Sequence, residues 1–147
     1  MRLKLLAVLV VGLLLAADDV KNDSKGDMEK MQGQWTMVSG ERDGQAIPDE
    51  FVQSLKRTIK GDRFSVKRED ETLTAGTFKL DASKTPKTID LKVDEGQAAG
   101  QSMHGIYEFQ GDTMKICYAG PGKPRPTEFS AKEGSGQTCA TWKRAKK

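Results

Sequence analysis

A single histidine and two cysteines in 147 residues leave this sequence few of the side chains that carry metal or nucleophilic chemistry. His104 stands alone, and no C-x-x-C or H-x-x-x-H spacing occurs, which argues against a zinc site. G-x-S-x-G, the phosphate-loop pattern and the zinc-protease motif are also missing, and the glycine-rich piece from Gly120 to Gly122 does not open a helix as a phosphate cradle would. No catalytic residue, metal or cofactor is therefore expected, and an enzyme is the weakest class. A membrane-length apolar run is lacking too. Leu5 to Leu15 is unbroken but eleven residues long, against the roughly 20 that cross a hydrocarbon core as a helix.

That short run instead sits in the order of a secretory leader. Met1-Arg2-Leu3-Lys4 is basic, the apolar stretch follows, and the small pair Ala16-Ala17 precedes Asp18-Asp19. Cleavage after Ala17 is the natural reading, and no cysteine follows to take a lipid anchor, so a soluble secreted or periplasmic product is expected. The same cut leaves 22 basic against 21 acidic residues, close to charge +1 with His104 neutral, which is no footprint for nucleic acid. The organisation expected is a leader over 1–17, a flexible tether over 18–30 and one domain over 31–147. Lys21 to Glu29 is charged and without periodicity, the pattern of a tether. The basic end, Lys143-Arg144-Ala145-Lys146-Lys147, reads as a solvated frayed tail.

Within the domain the pattern is short alternating segments separated by turn residues, the mark of an all-β chain. Trp35 to Ser39 is the first strand, Asp43-Gly44 a hairpin turn, and Pro48 to Leu55 one short helix with Phe51, Val52 and Leu55 on one side. Two similar hairpins follow the same rule. Gly61-Asp62 and Gly111-Asp112 each place glycine first in a type II′ turn, which sets Ile59 against Phe64, Phe109 against Met114, Tyr107 against Ile116, and Glu108 against Lys115. Leu73 and Ala75 alternate on one parity, Phe78 and Leu80 on the other, so a β-bulge is expected at Gly76. About eight antiparallel strands with hairpin connections suit an up-and-down barrel, whose closure removes exposed edges.

Gly33-Gln34-Trp35 resembles the G-x-W opening of lipocalin-like barrels, with Lys143 or Arg144 in the place of the basic residue that stacks on that tryptophan. The wider series is more specific. Gly61-Asp62-Arg63-Phe64, Gly76-Thr77-Phe78-Lys79-Leu80-Asp81, Pro86-Lys87-Thr88-Ile89-Asp90-Leu91, Gly105-Ile106-Tyr107-Glu108, Gly111-Asp112-Thr113 and Pro121 to Phe129 together resemble an uncharacterised lipocalin-like secreted domain family abundant in planctomycete bacteria. The resemblance implies the barrel and no particular activity.

An eight-stranded barrel is wide enough to be filled by side chains or to hold one small ligand, and composition does not separate the two. In a hollow barrel Phe64, Phe78, Tyr107, Phe109 and Tyr118 would line the lumen. Arg57 shares their parity. As a strand-end arginine it is expected to snorkel to solvent, the alternative being a pair with a ligand carboxylate. Cys117 and Cys139 lie on polar parities of neighbouring strands, and a disulfide on the outer surface is the first expectation, with two independent thiols as the alternative. His104 falls diagonal to Cys117, where a thiol–imidazole pair is conceivable but would lack a pocket. The leading function is the binding of a small apolar or amphipathic molecule. The rival is a dry-cored module that presents loops such as Lys123-Pro124-Arg125-Pro126 to a protein or polysaccharide.

Overall fold

The computed structural model describes residues 23–146, so the leader and the cleavage site lie outside the described residues. A first helix, α1, covers 23–31. The strands are β1 (Gly33–Arg42), β2 (Gln45–Ala46), β3 (Leu55–Lys60), β4 (Arg63–Arg68), β5 (Glu71–Asp81), β6 (Thr88–Gly96), β7 (Ser102–Gln110), β8 (Thr113–Ala119) and β9 (Gln137–Arg144), with a second helix, α2 (Asp49–Gln53), between β2 and β3. Apart from the two-residue β2, each strand pairs antiparallel with its neighbour in sequence, and β9 returns to pair with β1. The result is a closed eight-stranded lipocalin-like barrel with one extra strand.

Turn chemistry sets the register. Gly61 and Gly111 take positive φ (63° and 57°) at the first central position, and the pairs Ile59–Phe64, Tyr107–Ile116, Glu108–Lys115 and Phe109–Met114 form as alternation demands. Asp43 and Gly44 are both in the left-handed region, which closes the β1–β2 hairpin in two residues. The pairing of β5 with β6 shifts between Ala75 and Gly76, where a Cβ on Gly76 would stand 1.9 Å from the carbonyl oxygen of Lys92. Only glycine fits there, and Asp94 of β6 is the extra residue of the bulge, Gly76 facing inward with Val93 and Phe78.

The two ends of the barrel are closed differently. At one end α1 lies across the opening with Met31 fully buried and Met28 packed on the core. This corrects the expectation of a flexible tether as far as residue 30. Met28 and Met31 give the segment an apolar stripe, and the buried carboxylate of Asp27 accepts hydrogen bonds from the Tyr107 hydroxyl (2.7 Å) and the Lys87 ammonium (2.9 Å). The indole of Trp35 donates to the Met31 carbonyl at 2.9 Å, and the Arg144 guanidinium lies 4.4 Å from its ring centre while donating to the carbonyls of Lys30 and Gln32. The stacking partner is thus Arg144 and not Lys143. At the other end α2 sits as a lid, with Val52 buried and Arg68 stacked on Phe51.

A second, smaller core lies outside the barrel wall. The connection from β8 to β9 folds back along it, and Phe129 and Ala131 cover Ile106 and the disulfide Cys117–Cys139. The two cysteines are direct cross-strand partners, as the outward parities require. Their surroundings differ from the expectation. Both are buried, because Pro126, Phe129 and Ala131 bring apolar surface onto a wall that strand parity alone would leave to solvent.

Candidate functional site: the barrel interior

Alternation along β3 points Leu55, Arg57 and Ile59 inward and leaves Lys56, Thr58 and Lys60 exposed. Arg57 therefore enters the interior halfway between the α2 lid and the α1 seal. It does not snorkel, and only 4% of it is exposed. The guanidinium lies between two aromatic rings, 5.1 Å from the centre of Phe64 and 5.5 Å from that of Trp142. Such contacts contribute up to about 2 kcal/mol each when desolvated, which offsets part of the cost of burying a charge.

The remainder of that cost is visible. Burial pushes the Arg57 pKa down to about 10, the facing phenol of Tyr118 acting in the opposite direction. The group is still a cation at neutral pH. No ion pair to it forms among the described residues, and its Nε is buried with no hydrogen-bond partner. The indole Nε1 of Trp142, on β9 at the far side of β1 from Arg57, is also buried and unpartnered. Two donors and a positive charge thus share one aromatic-walled interior without an acceptor, a combination that folded proteins rarely leave uncompensated.

The six lumen candidates separate into two groups. Phe64 and Phe78 are in the same core as Arg57, and Tyr118 packs against that core from the α2 side. Tyr107 and Phe109 belong to the α1 seal. The Tyr107 hydroxyl is spent on Asp27, its ring meets Phe109 edge to face at 5.9 Å, and Lys30 lies 5.8 Å over Phe109. Burial first, and the bond to Asp27 second, raise the Tyr107 pKa far above that of an ordinary phenol. Trp142 is a further interior residue, not among the lumen candidates. Its parity, opposite to the polar Thr141 and Lys143, was the available signal.

On the outer wall His104 Nδ1 lies 2.8 Å from Asp90, its cross-strand partner, and the Arg125 guanidinium donates to the same carboxylate at 2.6 Å. Burial alone would raise the Asp90 pKa, but the bonds from His104 and Arg125 outweigh it and hold the carboxyl below its ordinary value. Arg125 also donates to the carbonyls of Gly105 (2.8 Å) and Ile89 (3.2 Å), and Pro126 is fully buried. The loop expected to present Arg125 and Pro126 to a partner is therefore pinned to the barrel by those two residues. His104 works in this clamp and Cys117 in the disulfide, so the thiol–imidazole pair does not form. Glu69 and Asp70 are exposed in the β4–β5 turn and Glu71 at the start of β5, where Arg68 is its cross-strand partner.

Among the described residues no cluster of three or more His, Cys, Asp or Glu could hold a metal ion, and no helix is long and apolar enough to cross a membrane. Fold and interior together define a lipocalin-like barrel with one sealed end, one lidded end and a buried unpaired arginine. No family model matches the chain, and neither a curated protein nor a solved structure matches it.

Proposed function

We propose that this chain is an exported, non-enzymatic lipocalin-like domain that binds one small amphipathic molecule through an acid group placed against Arg57. The observation that carries the reading is the buried guanidinium without an anion. A carboxylate at Nε would turn an uncompensated charge into a charge-assisted pair, and the Trp142 indole would supply a further donor. Phe64, Phe78 and Tyr118 offer apolar surface for the rest of the molecule, and the α2 lid is the route by which it would reach them. The disulfide fits an oxidising compartment, in keeping with the leader.

A fluorescent dansyl-undecanoate titration tests this reading. The expected result is a saturable signal at one probe per chain, with Arg57→Leu weakening the acid probe at least tenfold, the equivalent of about 1.4 kcal/mol, and leaving the matching alcohol unchanged. Absence of a saturable signal from either probe overturns it.

One feature favours a second reading, an interaction module with a dry interior. Trp35, Phe64, Phe78, Tyr107, Met114 and Trp142 fill much of the barrel, whereas a groove of about 500 Å³ opens outside it, between the β5–β6 loop and Arg125 to Thr127.

A further inference from the structure

The outward side of β1, β3 and β4 departs from the charge pattern of the rest of the barrel. Elsewhere, outward cross-strand partners include pairs of opposite sign: Glu108 faces Lys115 and Lys79 faces Asp90. On β3 and β4, Lys56 faces Lys67 and Lys60 faces Arg63. Like charges directly opposed in a sheet destabilise it, so this wall carries two unfavourable pairs, with Thr58 and Ser65 between them.

The register arranges these residues in rows. One row runs from Lys143 on β9 through Thr36 to Lys56 and Lys67. A second, two residues along, holds Gln34, Thr58 and Ser65. A third runs Lys60, Arg63, Thr77 and Lys92. Arg63 is already engaged, through a two-pronged bond to Asp94 at 2.7 and 2.9 Å. Lys56, Lys60, Lys67, Lys92 and Lys143 are exposed and in no ion pair among the described residues. With neighbouring strands about 4.8 Å apart, Lys143 and Lys56 stand roughly 10 Å apart and Lys67 one strand further on.

We propose that this wall is a docking surface for an acidic polysaccharide. Two rows of ammonium groups would meet the acid groups of a linear chain, and the row of hydroxyls and amide between them matches sugar hydroxyls. The outward positions Gln34, Thr36, Lys56, Thr58, Lys60, Arg63, Ser65 and Lys67 contain no aromatic ring on which a nucleobase could stack, and the one large apolar side chain exposed among the described residues, Val38 of β1, is too little surface to hold a lipid bilayer. The surface lies outside the barrel and is independent of the lumen reading.

Affinity electrophoresis of the disulfide-bonded protein through gels containing polygalacturonate decides the matter, with neutral dextran as the blank. Retardation in polygalacturonate only is expected, and Lys56→Gln with Lys67→Gln should raise the dissociation constant at least tenfold. Removing the same charge elsewhere, at Lys123→Gln with Lys132→Gln, should change it less than twofold, as should Arg57→Leu. Relief of the opposed lysines leaves the fold at least as stable, so loss of binding in the first variant is not loss of structure. Equal losses from both lysine pairs would reduce the effect to net charge and overturn the proposal. So would the absence of retardation, or tighter binding to duplex DNA or to anionic phospholipid vesicles at the same salt concentration.

Discussion

Replacing Arg57 by methionine keeps an unbranched apolar stem and removes a charge that burial has left without an anion. The fold should gain about 1 to 3 kcal/mol, read as a higher urea midpoint at unchanged slope, while binding of the acid probe is lost. Opposite signs for stability and binding are what a functional buried charge predicts; a methionine variant less stable than the parent would mean that the aromatic contacts already compensate the guanidinium. A second residue-scale prediction concerns Gly26, in α1 and not in the left-handed region, where an added Cβ meets nothing within 4 Å. Gly26→Ala should stabilise the protein by about 0.5 to 1 kcal/mol in thermal unfolding. The inward direction of Arg57 was legible from its parity with Ile59. Its burial was not, because whether a long side chain bends to solvent depends on side chains from other strands, here Phe64 of β4 and Trp142 of β9, which hold it.

Elements with strong local rules were the readable ones. The Gly-Asp turns and the alternation around them set both hairpins, and Gly76 marked the β5–β6 bulge. α1 was misread because its sequence, a charged stretch with two methionines, has little helical periodicity; what orders it is tertiary, the burial of Asp27 between Tyr107 and Lys87. Tyr107→Phe should therefore cost about 2 kcal/mol, since Asp27 remains buried with one donor fewer. The pH dependence follows from the raised phenol. Its stabilisation is fully present below pH 10, the ordinary tyrosine value, and is lost as pH rises above that value, so urea unfolding from pH 8 to 11 should show a decline that the phenylalanine variant flattens. The β8–β9 connection was equally opaque. Phe129 and Ala131 follow no period, and their partners, Ile106 and the cystine, come from other strands.

For the molecule as a whole, the disulfide ties the strand that closes the barrel to its neighbour across 22 positions of sequence. Cys117→Ala with Cys139→Ala should lower stability by roughly 3 kcal/mol on the chain-entropy account, measured by denaturant unfolding against the oxidised parent. A loss below 1 kcal/mol would assign the bracing to the apolar cover over the outer wall. Closure has a further, mechanical consequence. Gly33 opens β1 and Arg144 ends β9 at the same rim, and the two strands are antiparallel neighbours, so tension between residues 33 and 144 loads their hydrogen bonds one after another rather than together. The seam should part like a zip at low force in an optical trap. Once β9 has peeled back to Cys139 the bridge halts it, and the 22-residue segment stays slack within the covalent loop. Adding a thiol reductant should release about 70 Å of extra contour length, at roughly 3.3 Å per residue, in a single step.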